Sequence, residues 1–385
     1  MNSNSQLQAP SLSRPLKSPR LREARFDDYA LVAALAHKFG LGFEDDEAWQ
    51  HLWKNNPAYR DLQGKLPIGW VLEGADGRIA GYLGNIPLHY ELEGRSVLAS
   101  ATRSWVVDIA YRGYALMLLS PFFQQTNVDL FLGTSVNSQS AVASSVFKNV
   151  RVPVGEWDRS LFWITHPRGF TDSFLTKKGL AFAKGFSYPV ALALSLRDRV
   201  RGSGFRNGAD NPSVVPVDGF DERFDDFWAA LRRKKSGILL AVRNRETLDW
   251  HFKFALRKNE VWIYTFKGAT GMCGYAVFLR QERQQVGLNR VCLADFQCLD
   301  EDKSRTFFMA ALWAAFERCR CESVHMLELI GLPHDLQASA EVAAPHHRKL
   351  DNWMYFYKSN NPALAEKLKS SEAWEPSLFD GDSSL

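Results

Sequence analysis

The chain has 385 residues, of which 46% are hydrophobic, and it contains 12 tryptophans. Its 47 lysines and arginines against 43 acidic residues leave a formal charge of +4, too small and too dispersed for a nucleic-acid-binding surface. The length predicts two structural units, since domains usually run to about 100–200 residues.

The N-terminal residues 1–20 are rich in Ser, Asn, Gln and Pro and hold no apolar run, which predicts a disordered tail and no signal peptide. The longest apolar region, 179–196, is interrupted by Lys184 and Pro189, so we expect a helix followed by a buried strand over 190–196 and no integral membrane segment. Residues 197–216 combine Gly, Pro, Asn and Arg without periodicity, which is typical of a linker between domains.

The segments on the two sides of this linker, 21–196 and 217–385, repeat one pattern. Each begins with a tryptophan-bearing helical segment, continues with paired β-rich runs, and closes with a strand, a helix, a strand and a helix. The order predicts an α/β layout with a mixed sheet in each half. The residues paired by this repeat are Trp70 with Trp262, Gly81 and Tyr82 with Gly274 and Tyr275, and Asp108 with Asp295.

The stretch VVDIAYRGYALM, residues 106–117, leads from a predicted strand into a predicted helix. It resembles the cofactor turn of the GNAT acyltransferases, in which Val-x-Pro-x-Tyr-Arg-Gly-x-Gly-x-Gly/Ala connects the fourth strand to a helix. Arg112 and Gly113 match this pattern, whereas Ala115 and Met117 replace the two later small residues. The resemblance covers about residues 21–385 and implies two tandem GNAT-like domains, each with a mixed, mostly antiparallel sheet flanked by helices.

The resemblance implies that the start of this helix holds the pyrophosphate of acetyl-CoA or another acyl-CoA. A helix N-terminus suits an anion because it presents unpaired N–H donors and the positive end of the helix dipole. It further implies that the backbone of residues 105–109 meets the pantetheine arm and the oxyanion. A plain sheet-to-helix joint is the alternative. The implied cofactor-binding residues are Val106, Val107, Ile109, Arg112, Gly113, Tyr114, Ala115, Leu116 and Met117.

Two polar residues are candidates for the chemistry. Asp108 would act as general base, directly or through a water, if it faces the cleft, and is a capping carboxylate if it does not. Asn137 resembles the asparagine of the GNAT segment Asn...Ala...Tyr-x-x-x-Gly-Phe, with a helix cap as its alternative. The tyrosine that often serves as general acid in that segment is missing, and residues 144–147 read SSVF instead.

The second half has no such turn. Its corresponding helix begins with Asp300, Glu301 and Asp302, and carboxylates at a helix start use the same N–H donors and repel phosphate. We therefore expect 217–385 to be a domain without a cofactor turn, which shapes the acceptor site or only the fold.

The five cysteines lie in the second half. An odd count without a secretory signal predicts reduced thiols in a cytoplasmic compartment. A zinc site could be assembled from them with nearby histidines, but Cys319 and Cys321 do not form the usual Cys-x-x-Cys clip, so buried thiols and no metal are favoured.

The resemblance implies an acyl-CoA-dependent N-acyltransferase, with acetyl transfer to the amine of a small molecule as the expected reaction. The tail 374–382 is similar to the tails of bacterial GNAT-like proteins connected with surface-polysaccharide synthesis, which would point to an amino sugar. The alternative is a degenerate, non-catalytic tandem module that binds a ligand or partner, for which the replaced glycines and the missing tyrosine are the evidence.

Overall fold

The structure is a computed structural model that describes residues 18–41, 45–180, 189, 191–193, 214–268, 271–332, 334–351 and 353–385. Most of the predicted tail and linker therefore lies outside the described residues. Residues 191–193 are helical where the sequence predicts a strand, because Ala-Leu-Ala is a strong helix former. Among the described helices, none combines the length and the apolar character needed to cross a bilayer.

The first half begins with a strand and three helices and continues with alternating strands and helices. Its strands are β1 (Arg20–Glu23), β2 (Gly69–Glu73), β3 (Ile79–Leu92), β4 (Arg95–Val107), β5 (Leu130–Val136), β6 (Val150–Arg151) and β7 (Arg159–Ile164). Its helices are α1 (Tyr29–Lys38), α2 (Asp46–Lys54), α3 (Pro57–Asp61), α4 (Ala115–Phe123), α5 (Ser138–Val146) and α6 (Pro167–Lys177).

The second half repeats this order. Its strands are β8 (Val214–Val217), β9 (Leu240–Ala241), β10 (Val261–Gly268), β11 (Gly271–Arg283), β12 (Leu288–Cys298), β13 (Met326–Ile330), β14 (His346–Lys349) and β15 (Met354–Ser359). Its helices are α7 (Glu222–Lys234), α8 (Arg245–Arg257), α9 (Glu301–Cys321), α10 (His334–Ala343) and α11 (Pro362–Lys367).

These strands form two mixed sheets. The first has the order β1-β2-β3-β4-β5-β15-β6, with β9 also paired to β3, and the second has the order β14-β7-β13-β12-β11-β10-β8. Only the pairs β4–β5 and β12–β13 are parallel among the described strands. The prediction of a mostly antiparallel sheet flanked by helices in each half is confirmed.

The two halves exchange strands. β15, from the end of the chain, lies between β5 and β6 of the first sheet, while β7 pairs with β13 and β14 of the second sheet. Each sheet therefore contains a strand from the other side of the predicted linker.

The largest hydrophobic cluster also joins the halves, because it takes residues from both sheets and from the tryptophan-bearing helices α2 and α8. These helices contact each other directly through two hydrogen bonds. His51 Nε2 lies 2.9 Å from the carbonyl oxygen of Trp250, and Trp250 Nε1 donates to the carbonyl oxygen of His51 at 3.1 Å. The paired tryptophan segments of the sequence thus form one packed interface.

One pairing of the sequence repeat is wrong. Gly81 pairs with Val107 in the first sheet and Gly274 pairs with Cys298 in the second. Asp108 directly follows Val107, whereas Asp295 precedes Cys298 by three residues, inside β12. The two carboxylates therefore occupy different positions of the two ladders, and the residue that corresponds to Asp108 is Leu299.

Candidate functional site

The first sheet opens between its two parallel strands. β4 and β5 pair from Ala99–Leu130 to Ala101–Leu132, and the described ladder ends there although both strands continue. A bulge in β4 lies just beyond, between Arg103 and Val106, where Ser104 has a φ of 54°. The bulge turns the end of β4 away from β5. On the sides where the two strands face each other, their backbone groups are therefore not paired strand to strand.

This opening contains a mostly apolar cavity of about 50 Å³. Two residues of its lining, Trp105 and Asn149, each hold a buried polar atom, Nε1 and Oδ1, that has no hydrogen-bond partner among the described residues. Buried polar groups are rarely left unpaired, so a donor and an acceptor with no partner favour a ligand that offers both. The lining residues are Leu83, Thr102, Trp105, Leu119, Phe123, Phe131, Leu132, Gly133, Val136, Ser140, Ser144, Asn149 and Phe356.

The predicted cofactor turn forms a 3-10 helix, Ile109–Tyr114, which runs directly into α4. Arg112 is exposed, and its guanidinium makes no hydrogen bond or ion pair within the described part of the chain. The Ala115 N–H is already used, because it donates to the carbonyl oxygen of Arg112. The turn therefore presents one free guanidinium at the start of a nine-residue helix.

The other predicted cofactor residues divide between the surface and the core. Ile109 is 70% exposed, and Leu116 and Met117 also expose much of their side chains. Val106 is buried, and a Cβ placed on Gly113 would meet nothing within 4 Å. Met117 thus lies at the surface rather than in the core.

Asp108 and Asn137 both cap helices. Asp108 accepts a hydrogen bond from the Ala110 N–H at 3.1 Å, and its carboxylate lies 3.5 Å from Lys38 Nζ. Asn137 Oδ1 accepts from the Ser140 N–H at 2.8 Å, at the start of α5. For both residues, these contacts are the ones expected of a helix cap, which is the alternative to a role in the chemistry.

A half-buried carboxylate that the sequence does not single out lies beside the opening. Asp382 accepts a hydrogen bond from Thr134 Oγ1 on β5 at 2.9 Å, and Arg103 on β4 donates to the main-chain oxygens of Asp382 and Leu385 at 3.1 and 2.9 Å. Burial raises the pKa of Asp382, and the positive charge of Arg103 partly opposes this shift. The C-terminal segment thus reaches both strands that border the cavity.

A larger cleft of about 490 Å³ lies on the other face of β4. It is lined by α2 and β4 of the first half and by α8, β11 and β12 of the second. Thr102 lines the small cavity and its neighbour Arg103 lines the cleft. Successive side chains of a strand point to opposite faces, so β4 separates the two spaces.

The second sheet has a corresponding bulge, but its surroundings are filled by the chain itself. Leu378 packs against Cys292 and Ile330, and the Phe379 N–H donates to the carbonyl oxygen of Ala294 at 2.9 Å. The start of α9 is capped by Asp300, which accepts from the Lys303 N–H at 3.2 Å and pairs with the Lys303 ammonium. At this position the described residues of the second half therefore leave a cavity of about 20 Å³, less than half the volume of the one in the first sheet, and a helix start that is already capped.

Asp295 is fully buried in an ion pair with Arg243, at 2.8 Å, and accepts a hydrogen bond from the Tyr275 hydroxyl at 2.7 Å. Burial by itself would raise the pKa of Asp295, but the charge and hydrogen bonds of Arg243 outweigh it and hold the pKa below its usual range. This carboxylate is structural.

The described residues contain no group of three or more His, Cys, Asp or Glu side chains placed to hold a metal ion. The cysteines are free thiols. Burial raises the pKa of Cys292 and of Cys298 to about 11, which keeps both protonated at neutral pH.

No family model and no curated protein matches the sequence. Among solved structures, the chain is similar to Saccharomyces cerevisiae N-myristoyltransferase with bound myristoyl-CoA, with a TM-score of 0.53 at 12% identity over 93% of this chain and 88% of that one. A second structure of that enzyme gives a TM-score of 0.55 at 11% identity over 97% and 85%. A GCN5-related N-acetyltransferase from Kribbella flavida gives 0.51 at 11% identity over 88% and 70%.

The two sheets, each with one parallel pair and flanking helices, together with these neighbours, define a GNAT-like acyltransferase fold. The chain carries it as two tandem domains, so the predicted resemblance is confirmed for the fold.

Proposed function

We propose that the protein is an acyl-CoA-dependent N-acyltransferase whose cofactor lies in the opening between β4 and β5. The observation that carries the proposal is the cavity in that opening, with its unpartnered Trp105 Nε1 and Asn149 Oδ1. An amide of the pantetheine arm supplies a carbonyl for the first atom and an N–H for the second. The neighbouring structures, which contain acyltransferases, support the same kind of reaction.

The phosphates of the cofactor would lie at the start of α4. Leu119 lines the cavity, and Ala115 begins the helix four residues earlier, so cavity and helix start are about 6 Å apart along the axis. Arg112 and the positive end of the helix dipole favour an anion there. Ala115 and Met117 leave this approach narrower than glycines would, and Met117 lies where its side chain can turn into solvent.

We assign the base to Asp382. In the reaction, the nitrogen of the acceptor attacks the thioester carbonyl, the C–S bond breaks, and the proton lost by the amine passes through Asp382 to the departing thiolate. A carboxyl whose pKa is raised by burial is a stronger base than an ordinary one, which suits proton transfer near neutral pH. Arg103 and Thr134 hold the segment in place at the border between cavity and cleft.

The acyl group we propose is short. A cavity of about 50 Å³ has room for roughly four water-sized groups, which suits an acetyl group and not a long chain. The acceptor would enter through the cleft on the other face of β4, and a small amine such as an amino sugar fits its 490 Å³.

The second candidate is a non-catalytic binding module. It is favoured by the 3-10 helix at the turn and by Ala115 and Met117 in place of glycines. It is also favoured by Ser144, which lines the cavity where a tyrosine would act as general acid. The Ser144 hydroxyl donates to the carbonyl oxygen of Ser140 at 3.4 Å.

Calorimetric titration with acetyl-CoA and a thiol-release assay with amine acceptors distinguish these candidates. The enzyme binds acetyl-CoA and releases thiol with a suitable amine, while the binding module binds without release. Arg112→Glu should abolish acetyl-CoA binding with the circular dichroism spectrum unchanged, whereas the triple change Asp300→Asn, Glu301→Gln, Asp302→Asn should leave it unchanged. Failure of the unmodified protein to bind acetyl-CoA would refute the proposed function.

A further inference from the structure

The cleft between the halves has unusually basic walls. Its lining holds five basic side chains and two acidic ones. His251 adds no charge, because burial lowers its pKa to about 3. The basic residues are Arg103, Lys258, Arg280, Arg283 and Arg290, and the acidic ones are Glu260 and Glu282.

Among the basic side chains that line the cleft, Arg283 has no partner within the described part of the chain. Its guanidinium makes no hydrogen bond and no ion pair with any described residue, although Arg280 on the same strand lies within 4 Å of Glu282 and of Glu322. Arg283 lines the cleft with an exposed side chain, and Arg290 and Arg348 are the positive charges that act on it. Its guanidinium is therefore open to a ligand, and the neighbouring positive charges favour an anion there.

Arg290 lies near Arg283 and is only 6% exposed. It shares its carboxylate partner, Glu328, with Arg348. Glu328 is fully buried and accepts hydrogen bonds from both Arg290 and Arg348, so one negative charge faces two positive ones. Arg290 Nε remains buried without a partner. Arg290 also donates to Gln281 Oε1 at 2.8 Å, and an anion in the cleft would offset the remaining positive charge.

On the opposite wall, Arg103 also has an Nε without a partner among the described residues, and its two terminal nitrogens donate to the main-chain oxygens of Asp382 and Leu385. Arginine pairs well with phosphate and carboxylate because its planar fork donates two parallel hydrogen bonds. Both walls of the cleft thus carry guanidinium groups suited to an oxyanion.

We propose that the acceptor is an amine that also carries an oxyanion, a phosphate or a carboxylate, which Arg283 and Arg290 bind in the cleft while its amino group reaches Asp382. This inference rests on the proposed function and specifies the substrate class of the same site. The bound anion neutralises the excess charge, and its distance from the amine selects the acceptor.

Three probes test the proposal in calorimetric titrations of the full chain: glucosamine 6-phosphate, 2-amino-2-deoxyglucuronate and uncharged glucosamine. The Arg112→Glu protein is used for these titrations, so that phosphate cannot bind at the cofactor turn. At least one charged probe should bind roughly tenfold or more tightly than glucosamine, since a hydrogen bond to a charged group contributes about 1.5–3 kcal/mol. Equal affinities for all three probes, or no binding of either charged probe, would overturn it.

In the Arg112→Glu protein, the further change Arg283→Gln should remove the preference for charged probes over glucosamine. Arg305→Gln in the same background should keep it. Arg305 is exposed on α9 and has no partner among the described residues, so its loss removes the same charge outside the cleft. An unchanged preference in Arg283→Gln would also overturn the proposal. Failure of the unmodified protein to bind acetyl-CoA, with the preference for charged probes intact, would refute the proposed enzyme and leave the anion site standing.

Discussion

Replacing Asp295 with alanine should destabilise the protein strongly. Asp295 and Arg243 are both 0% exposed, and two guanidinium nitrogens of Arg243 donate to the two carboxylate oxygens at 2.8 and 3.2 Å. After the change, the nearest carboxylate to Arg243 is Asp380, at 3.5 Å, whose own pKa is raised by burial. Removing one partner of a buried ion pair typically costs about 3–5 kcal/mol, and we expect a loss in this range.

The assay is urea unfolding at pH 7, followed by tryptophan fluorescence. Asp300→Ala is the control, because Asp300 is a partly exposed cap whose loss should cost much less stability. The double variant Arg243→Met/Asp295→Leu should recover part of the stability, since it removes both charges of the pair but leaves the buried Asp380 without its cation. A loss below about 1 kcal/mol in Asp295→Ala would refute the reasoning.

The same pair predicts a pH dependence. The folded-state pKa of Asp295 lies below its unfolded value, so its contribution to the free energy of unfolding is present above the unfolded pKa and is lost as the pH falls through the folded one. The difference in stability between wild type and Asp295→Ala should therefore shrink below about pH 4. A constant difference down to pH 2 would contradict this assignment.

The remaining predictions concern the proposed site. Trp105→Phe keeps an aromatic ring and removes the unpartnered N–H, so it should weaken acetyl-CoA binding roughly three- to tenfold in calorimetry without lowering stability. Unchanged binding would show that the indole N–H does not contact the cofactor. In the wild type, kcat/KM should fall at acidic pH, with a midpoint above the ordinary pKa of an aspartate. Asp382→Asn should lower kcat by about 10²-fold or more and abolish this fall. Met117→Ala should tighten acetyl-CoA binding or leave it unchanged, and complete loss of binding would show a required contact.

The fold was largely predictable because its signals are local. The paired β-rich runs around Gly81 and Gly274 became β2–β3 and β10–β11, and the tryptophan-bearing segments became α2 and α8. Carboxamide and carboxylate caps such as Asn137 and Asp300 begin helices where the spacing placed them. Each of these features depends on residues close in sequence.

The strand exchange and much of the site were not predictable because they depend on contacts between distant residues. Thr134 and Asp382 are 248 residues apart, and no spacing rule links them. Trp105 was expected to contribute only backbone, since nothing in the sequence indicates that its indole N–H lacks a partner. Asn149 follows α5 in an ordinary loop, and only the cavity distinguishes it from other polar loop residues.

The exchanged strand β15 affects how the protein is made. The first sheet has its last N-terminal strand at Val150–Arg151, yet the strand beside it, Met354–Ser359, leaves the ribosome roughly 200 residues later. At about 5–20 residues per second, the edge of β5 stays uncovered for some 10–40 s during synthesis. An unpaired strand edge is a template for association with other chains, so the nascent first half should depend on chaperones until the last strand arrives.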